Sequence, residues 1–179
     1  LQPREHLVED DVMRRYGASR YAVRRAFEEL QTLGLAVRTE NRGTRIRGYS
    51  AREVAELYEM RELLETGAAQ RIRMPIASTL IDELVDIQKQ HDRAMRVGDV
   101  FELYTSNNEF HRLLFSACDN QALVDSVIAY ALQAQPIRMR LIHDAKRKKQ
   151  ASAEHWEMID ALKEGNTPVL VDVCGRHIS

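Results

Sequence analysis

Cysteine is nearly absent from this chain, with Cys118 and Cys174 the only two in 179 residues. Two thiols cannot build the disulfide framework of a small secreted domain. Long apolar runs are missing as well. None approaches the ~18 residues of a membrane span, and nothing at the start resembles a signal peptide, so a soluble chain in the cytoplasm is expected, with no membrane partner. There is no internal repeat and no glycine-rich phosphate loop. An excess of charge of one sign is lacking too, since the net is −1. What remains, with 44% hydrophobic and 30% charged residues, is enough for one large globular domain or two small ones. The chain begins at Leu1 without a methionine and stops at Ser179 inside what reads as a helix, as a trimmed chain would.

The near-zero net charge conceals an asymmetry. Residues 1–52 hold 11 arginines against 7 acids, and ten of those arginines fall between Arg14 and Arg52. A local excess of this size is the electrostatic footprint of a phosphate-binding surface. A charge cluster is often only a solvated face, so the spacing must decide.

The spacing here is that of a helix, a tight turn and a second helix. Leu7, Val8, Val12 and Tyr16 outline one short amphipathic helix, "GAS" breaks it, and Ser19 caps a second. Val23, Phe27, Leu30 and Leu33 form the buried face of that second helix, and Gly34 ends it. In such a unit the second helix can enter the DNA major groove with the residues of its first turns at base edges. Arg20, Tyr21, Arg24 and Arg25 occupy those turns. An arginine there can make a bidentate contact to guanine, while Ser19 and the amides at the helix start suit a phosphate. "LAVRT", "ENRG" and "TRIRG" then read as two short strands around a turn. Gly43 supplies the reversal, Arg42 stands at its tip, and Arg42 and Arg45 can lie along the backbone or in the minor groove.

The stretch from Leu7 to Gly48, with its Ser-Arg-x-x-Val-Arg-x-Ala core, Gly-Leu and Asn-Arg-Gly wing, resembles the winged helix of the GntR family of bacterial transcription regulators. The resemblance places the family's DNA-contacting residues on Ser19, Arg20, Arg24 and Gly43. Two departures stand out. A first-helix position that is often a DNA-contacting arginine is acidic here, around Asp10, and the family's opening helix has no counterpart, which suggests an N-terminal truncation.

From Ser50 onward the pattern is helical throughout. "SARE" is a capping box opening a helix to about Arg73. Further helices are expected over Thr79–Val97, Asp99–Ser116, Asn120–His143 with a kink at Pro136, Ala151–Glu164, and from Thr167 with Pro168 in its first turn. "DAKRKKQASAE" reads as a basic, mobile connector. The expected fold is therefore mainly α: an N-terminal winged helix-turn-helix with a small β-hairpin wing over residues 1–49, followed by an all-α helical bundle over residues 50–179.

Four polar residues in this bundle point toward a core. Asn107 and His111 lie four apart on the stripe of Leu103, Phe110 and Leu114. His155 shares a face with Ile159 and Leu162, and His177 with Leu170, Val173 and Cys174. His155 and His177 are symmetric about Asn166, inside the "GNT" turn, so in an antiparallel hairpin they stand level and can meet. A histidine on an apolar face is often an ordinary hydrogen-bonded core residue. Three of them without partners would be costly to bury, whereas a divalent metal satisfies all together. Three imidazoles and an oxygen donor suit zinc first, and also nickel or manganese, and leave positions for water or a ligand carboxylate. His6, His91 and His143 show no comparable relation and are expected on the surface.

Ser50 to Ser179 also resembles the ligand-binding domain of the FadR subfamily, often called the FCD domain. Many members carry an aspartate four residues before a Phe-His pair, then two more histidines, as metal ligands. The resemblance puts these on Asn107, His111, His155 and His177, with asparagine in place of the aspartate. It also implies a small organic-acid effector whose carboxylate meets the metal, with Arg61, Arg138 and Arg140 as candidate clamps. Because one winged helix reads few base pairs, a homodimer on a roughly palindromic double-stranded operator is expected. The expected function is a DNA-binding regulator, in the commoner sense a repressor, whose operator affinity the effector controls. Two alternatives are a metal-dependent enzyme with Glu109 or Glu154 as base, and a DNA-binding protein with a purely structural metal.

Overall fold

The computed structural model describes residues 3–39, 43–139 and 144–178. The chain divides into two compact units, Leu1–Leu57 with Ala129–Leu141, and Tyr58–Ile128 with Ile142–Ser179. No described helix is long and apolar enough to cross a membrane.

The first unit opens with β1 (His6–Leu7), α1 (Glu9–Tyr16) and α2 (Arg20–Thr32), followed by β2 (Ala36–Thr39) and β3 (Gly43–Ile46). The three strands form an antiparallel sheet in the order β1-β3-β2, with Leu7 opposite Thr44 and Ala36 opposite Ile46. The hairpin matches the expectation from the sequence; the third strand does not. Leu7 therefore enters the core from a strand rather than from α1, which begins only at Glu9. Val8 and Tyr16, expected on the buried face of the first helix, are exposed at 49% and 66%. The helix-turn-helix is as the spacing implies except at Leu33, expected on the buried face of the second helix, which follows the last residue of α2 and is exposed at 39%. Gly17 adopts the left-handed conformation (φ 63°) that stops α1, and the Ser19 hydroxyl accepts from Ala22 N at 3.3 Å to start α2. Leu7, Val23, Phe27, Ala36 and Ile46 make the core, with Val12, Met13, Ala18 and Leu30 packed against it. Burying Val23 and Phe27 on one side of α2 fixes which side faces water.

The helices that follow are α3 (Ala51–Ala69), α4 (Ser78–Val97), α5 (Val100–Ser116), α6 (Gln121–Gln133), α7 (Gln135–Arg138), α8 (Ala145–Glu164) and α9 (Thr167–Ile178). The expected capping box opens α3: the Ser50 amide and hydroxyl both donate to Glu53 Oε2 at 2.8 Å, and Glu53 N returns a bond to Ser50 Oγ. Two expectations are corrected. The helix expected from Asn120 to His143 ends at Gln133, and α7 restarts with Pro136 in its first turn, the position where a missing N–H costs nothing. Residues 140–143, including Arg140 and His143, lie outside the described residues. The basic segment expected as a mobile connector is the opening of α8, because Asp144 caps the amides of Lys146 and Arg147 at 2.9 and 3.0 Å and the lysines beyond it are good helix formers.

In the second unit α4 packs against α5 and α8, and α8 against α9. Leu84, Phe110, Leu114, Phe115, Met158, Ile159, Leu170 and Val173 are all buried in one core. Cys118 and Cys174 are both buried and both free thiols. This core is the wall in which the polar cluster sits.

Candidate functional site

Three helices bring the cluster together. α5 carries Asn107 and His111, α8 carries Glu154 and His155, and α9 carries His177. The α8–α9 hairpin turns at Gly165, whose φ of 67° ends α8, and at Asn166, whose side chain accepts from Val169 N. His155 and His177 are therefore level, as their symmetry about that turn requires, and their ring centroids stand 4.8 Å apart. His111 meets both: its Nε2 is 3.1 Å from Nε2 of His177 and 3.3 Å from Nε2 of His155.

The outer nitrogens explain why the inner ones converge. Gln88 on α4 has its amide nitrogen committed to Asp92 Oδ1 at 2.8 Å and Ser152 Oγ at 3.3 Å. Its oxygen must then be the atom facing His155 Nδ1 at 2.7 Å, so that Nδ1 is the protonated one. On the other side His177 Nδ1 stands 2.8 Å from Glu154 Oε2. Burial pushes the Glu154 carboxyl up, yet the hydrogen bonds it accepts from His177 and Gln150 more than offset this and hold it below the ordinary glutamate value. An ionised carboxylate only accepts, so His177 Nδ1 also carries a proton. In the neutral rings both Nε2 atoms then present lone pairs toward His111.

This donor set fits a divalent cation. Two imidazole nitrogens ~2.1 Å from one tetrahedral ion stand ~3.4 Å from each other, close to the two separations that His111 Nε2 makes, 3.1 and 3.3 Å. His111, His155 and His177 form a group able to hold a metal, with candidate ligand atoms all within 4.8 Å. Aromatic rings pack against the imidazoles. Phe110 stacks on His155 at 4.2 Å with 15° between planes, and Phe115 lies parallel to His111 at 6.1 Å. Three nitrogen ligands leave a divalent ion open to water or an oxygen ligand.

Asn107 is buried one turn before His111, and its amide nitrogen stands 3.5 Å from Asn108 Oδ1, a long contact. Arg61 is buried on α3 and gives two hydrogen bonds, at 3.1 and 2.8 Å, to one oxygen of Glu65. Arg138 is half-buried on α7, in the first unit. His6 is exposed as expected, but His91 is not: it is 3% exposed, with its ring 5.2 Å from that of His155. Glu109 is exposed and Glu154 is committed to His177, so neither stands ready as a general base. Gln88, Glu154 and Asp92, which orient the ligands, carry no signal in the sequence pattern that marks them as partners of the histidines. Asp92 alone accepts from Gln88, Ser152 and the indole of Trp156.

The first unit presents the second candidate surface. Arg20, Tyr21 and Arg24 are exposed on the opening turns of α2, Tyr21 at 75%. Arg20 and Arg24 are both ion-paired to acids of α1. Gly43 has φ 73°, in the region that favours glycine, and Arg45 is exposed on β3. Arg42 lies outside the described residues.

Comparison with known proteins agrees with both halves. The FCD domain family matches residues 56–179. The chain is 25% identical over 171 residues to the "Probable D-xylose utilization operon transcriptional repressor" of Paenarthrobacter nicotinovorans, covering 96% of this chain and 75% of that protein. It is 21% identical over 178 residues to the HTH-type transcriptional repressor RspR of Escherichia coli strain K12, covering 99% and 78%. Among solved structures, a GntR transcriptional regulator from Rhodococcus sp. RHA1 superposes with a TM-score of 0.80 at 21% identity, over 99% of this chain and 84% of that one. The family and these relatives are transcription regulators rather than enzymes. The chain belongs to the FCD domain family, and its fold is that of a GntR transcriptional regulator.

Proposed function

We propose that this chain is a cytoplasmic repressor of the FadR subfamily whose affinity for double-stranded operator DNA is controlled by a small organic acid bound beside a metal ion. Residues 1–49 read DNA and residues 50–179 sense the effector. The observation that carries the sensing half is the convergence of the Nε2 atoms of His111, His155 and His177 at 3.1 and 3.3 Å. These three hold the ion, zinc foremost and otherwise nickel or manganese, and Asn107 offers a neutral oxygen as a further ligand. The metal supplies a Lewis-acidic centre with open positions for a carboxylate. Glu154 and Gln88 orient the imidazoles, and Phe110 and Phe115 keep them from turning. Arg61, tied to Glu65 by two of its five N–H donors, is the candidate clamp on the effector's far end. Arg138 and Arg140 are candidates of the same kind.

On the DNA side Ser19, Arg20, Tyr21 and Arg24 of α2 face the major groove, while Arg42, Gly43 and Arg45 of the hairpin follow the backbone. A single such unit covers one half-site, so the active species is a homodimer on a near-palindrome. The effector acts only through a difference in its affinity for DNA-competent and DNA-incompetent arrangements.

The test is to identify small molecules and metals retained by the purified chain, by mass spectrometry and elemental analysis. Each molecule found is then added to a DNA titration while mass is followed by light scattering. A carboxylate that weakens DNA binding of a metal-loaded dimer supports the reading. A monomer on DNA, or binding that no retained acid alters, overturns it.

A further inference from the structure

Arg20 and Arg24 stand one turn apart on the exposed side of α2, and both reach back to the first turn of α1, but they are held by different atoms. Arg24 is held from its side: Nε donates to both oxygens of Glu9, at 3.0 and 3.1 Å. Among the described residues its two terminal nitrogens make no hydrogen bond. Arg20 is held at its tip instead. Its Nη2 donates to Asp10 Oδ1 at 2.7 Å, and its Nη1 stands 3.7 Å from Glu9 Oε2.

This difference matters for what each arginine can read. A guanidinium recognises guanine through two parallel N–H bonds to O6 and N7. Arg24 keeps its terminal pair for that purpose while Glu9 fixes the direction of the fork. Arg20 has the same pair engaged by carboxylates. A phosphate approaching Arg20 must displace a negative group already in place and is repelled by it. The two arginines and two acids also sum to zero charge, so this part of α2 adds little to the counterion release that drives binding to any duplex.

The geometry points to a division of labour imposed by α1: Glu9 is a positioning residue that presents the tip of Arg24 to a base edge, and Asp10 is a specificity-determining residue that withholds the tip of Arg20. It rests on the reading of α2 as the helix in the major groove. The consequence is a surface that gains selectivity by discarding affinity for the backbone at large.

The experiment uses the full chain, a duplex enriched from a random-sequence pool by the parent protein, and an unselected duplex as comparator, each titrated over a range of salt. Arg24→Ala is expected to lose ~10-fold or more on the enriched duplex, and Arg20→Ala to lose several-fold less than that. Asp10→Asn raises affinity for both duplexes, steepens the salt dependence by about one unit of slope, and narrows the ratio between the duplexes. Adding Arg20→Ala to Asp10→Asn removes that gain. Glu9→Ala lowers the ratio, and Glu9→Gln, which keeps an acceptor for Arg24 Nε, restores most of it. Equal losses from Arg20→Ala and Arg24→Ala, or an Asp10→Asn variant with unaltered slope and ratio, overturn the proposal. Enriched-duplex binding that survives both arginine substitutions overturns it differently, by removing α2 from the groove.

Discussion

His111 and His177 face each other Nε2 to Nε2 at 3.1 Å, with His155 Nε2 a further 3.3 Å from the first. A proton on His111 Nε2 can serve one of the two neighbouring lone pairs well, and leaves the other opposed. A divalent ion serves all three nitrogens at once. The pull toward a cation is therefore built into the hydrogen bonds on the outer side of the rings, at Gln88 and Glu154.

Metal binding should stabilise the fold by mass action. At a hundredfold excess of free zinc over its dissociation constant the gain is ~2.7 kcal/mol. For a chain of this size that is ~5–10 °C in Tm. Differential scanning fluorimetry with zinc against chelator should show this rise in the parent and lose it in His155→Ala and His177→Ala. An equal rise in all three would mean that these histidines are ordinary core residues.

Gln88 should matter although it touches no metal. Replacing it by leucine keeps the volume but removes the acceptor that fixes His155 Nδ1, and loss of such an outer partner weakens metal affinity ~10–100-fold. Competition against a chromophoric chelator measures this directly. The fluorescence of Trp156 offers a second readout, because Asp92 accepts from its indole at 3.0 Å and from Gln88 at 2.8 Å. Metal titration should change the emission of the parent and leave that of Gln88→Leu less responsive.

Much of the fold and of the histidine cluster is legible in the sequence, for a reason visible in particular residues. Ser19, Val23 and Phe27 combine a cap with helical spacing, and His155 and His177 are symmetric about a turn. These are signals of one helix or one hairpin. The features that escape such reading depend on contacts between elements. β1 is two residues long and has no period to detect, yet β3 recruits it. Gln88, His91 and Asp92 read as the polar side of α4, and only the packing of α4 on α8 turns Gln88 and His91 inward. The pairs of Glu9 and Asp10 with Arg24 and Arg20 span 15 and 10 residues and exist only because α1 crosses α2. Charge hides the start of α8: the lysines and arginine after Asp144 resemble a loop by composition but are helix formers once capped.

The capping box at the start of α3 predicts a pH effect with a definite sign. The Ser50 backbone amide and then its hydroxyl favour the ionised Glu53 carboxylate, desolvation opposes them, and Arg47 adds a smaller favourable effect, so that the carboxyl is held below the ordinary glutamate value. A carboxyl lowered on folding stabilises the folded chain above its unfolded value, and that contribution fades as pH falls through the lowered folded value. Carboxyl-carbon NMR should therefore find the Glu53 midpoint low in the parent and shifted upward in Ser50→Ala. A midpoint that does not move in the variant would show that the box is not closed in solution.

Asn107→Asp tests how the oxygen ligand is matched to the metal. The parent buries a neutral amide one turn before His111. An aspartate there places a full negative charge beside three imidazoles. With the ion bound, that charge becomes a ligand, and metal affinity should rise on the order of tenfold, since charged oxygen donors hold divalent cations more tightly than neutral ones. Without the ion, the same carboxylate is buried and poorly matched, and its desolvation destabilises the fold. The variant should therefore melt below the parent in chelator and above it in zinc, so the interval between the two conditions widens. If the proposed carboxylate effector meets the same ion, the added charge would repel it, and the response of DNA binding to that effector should weaken while metal content rises. An interval equal to the parent's would mean that Asn107 does not reach the ion, and that the three histidines hold it with solvent or effector alone.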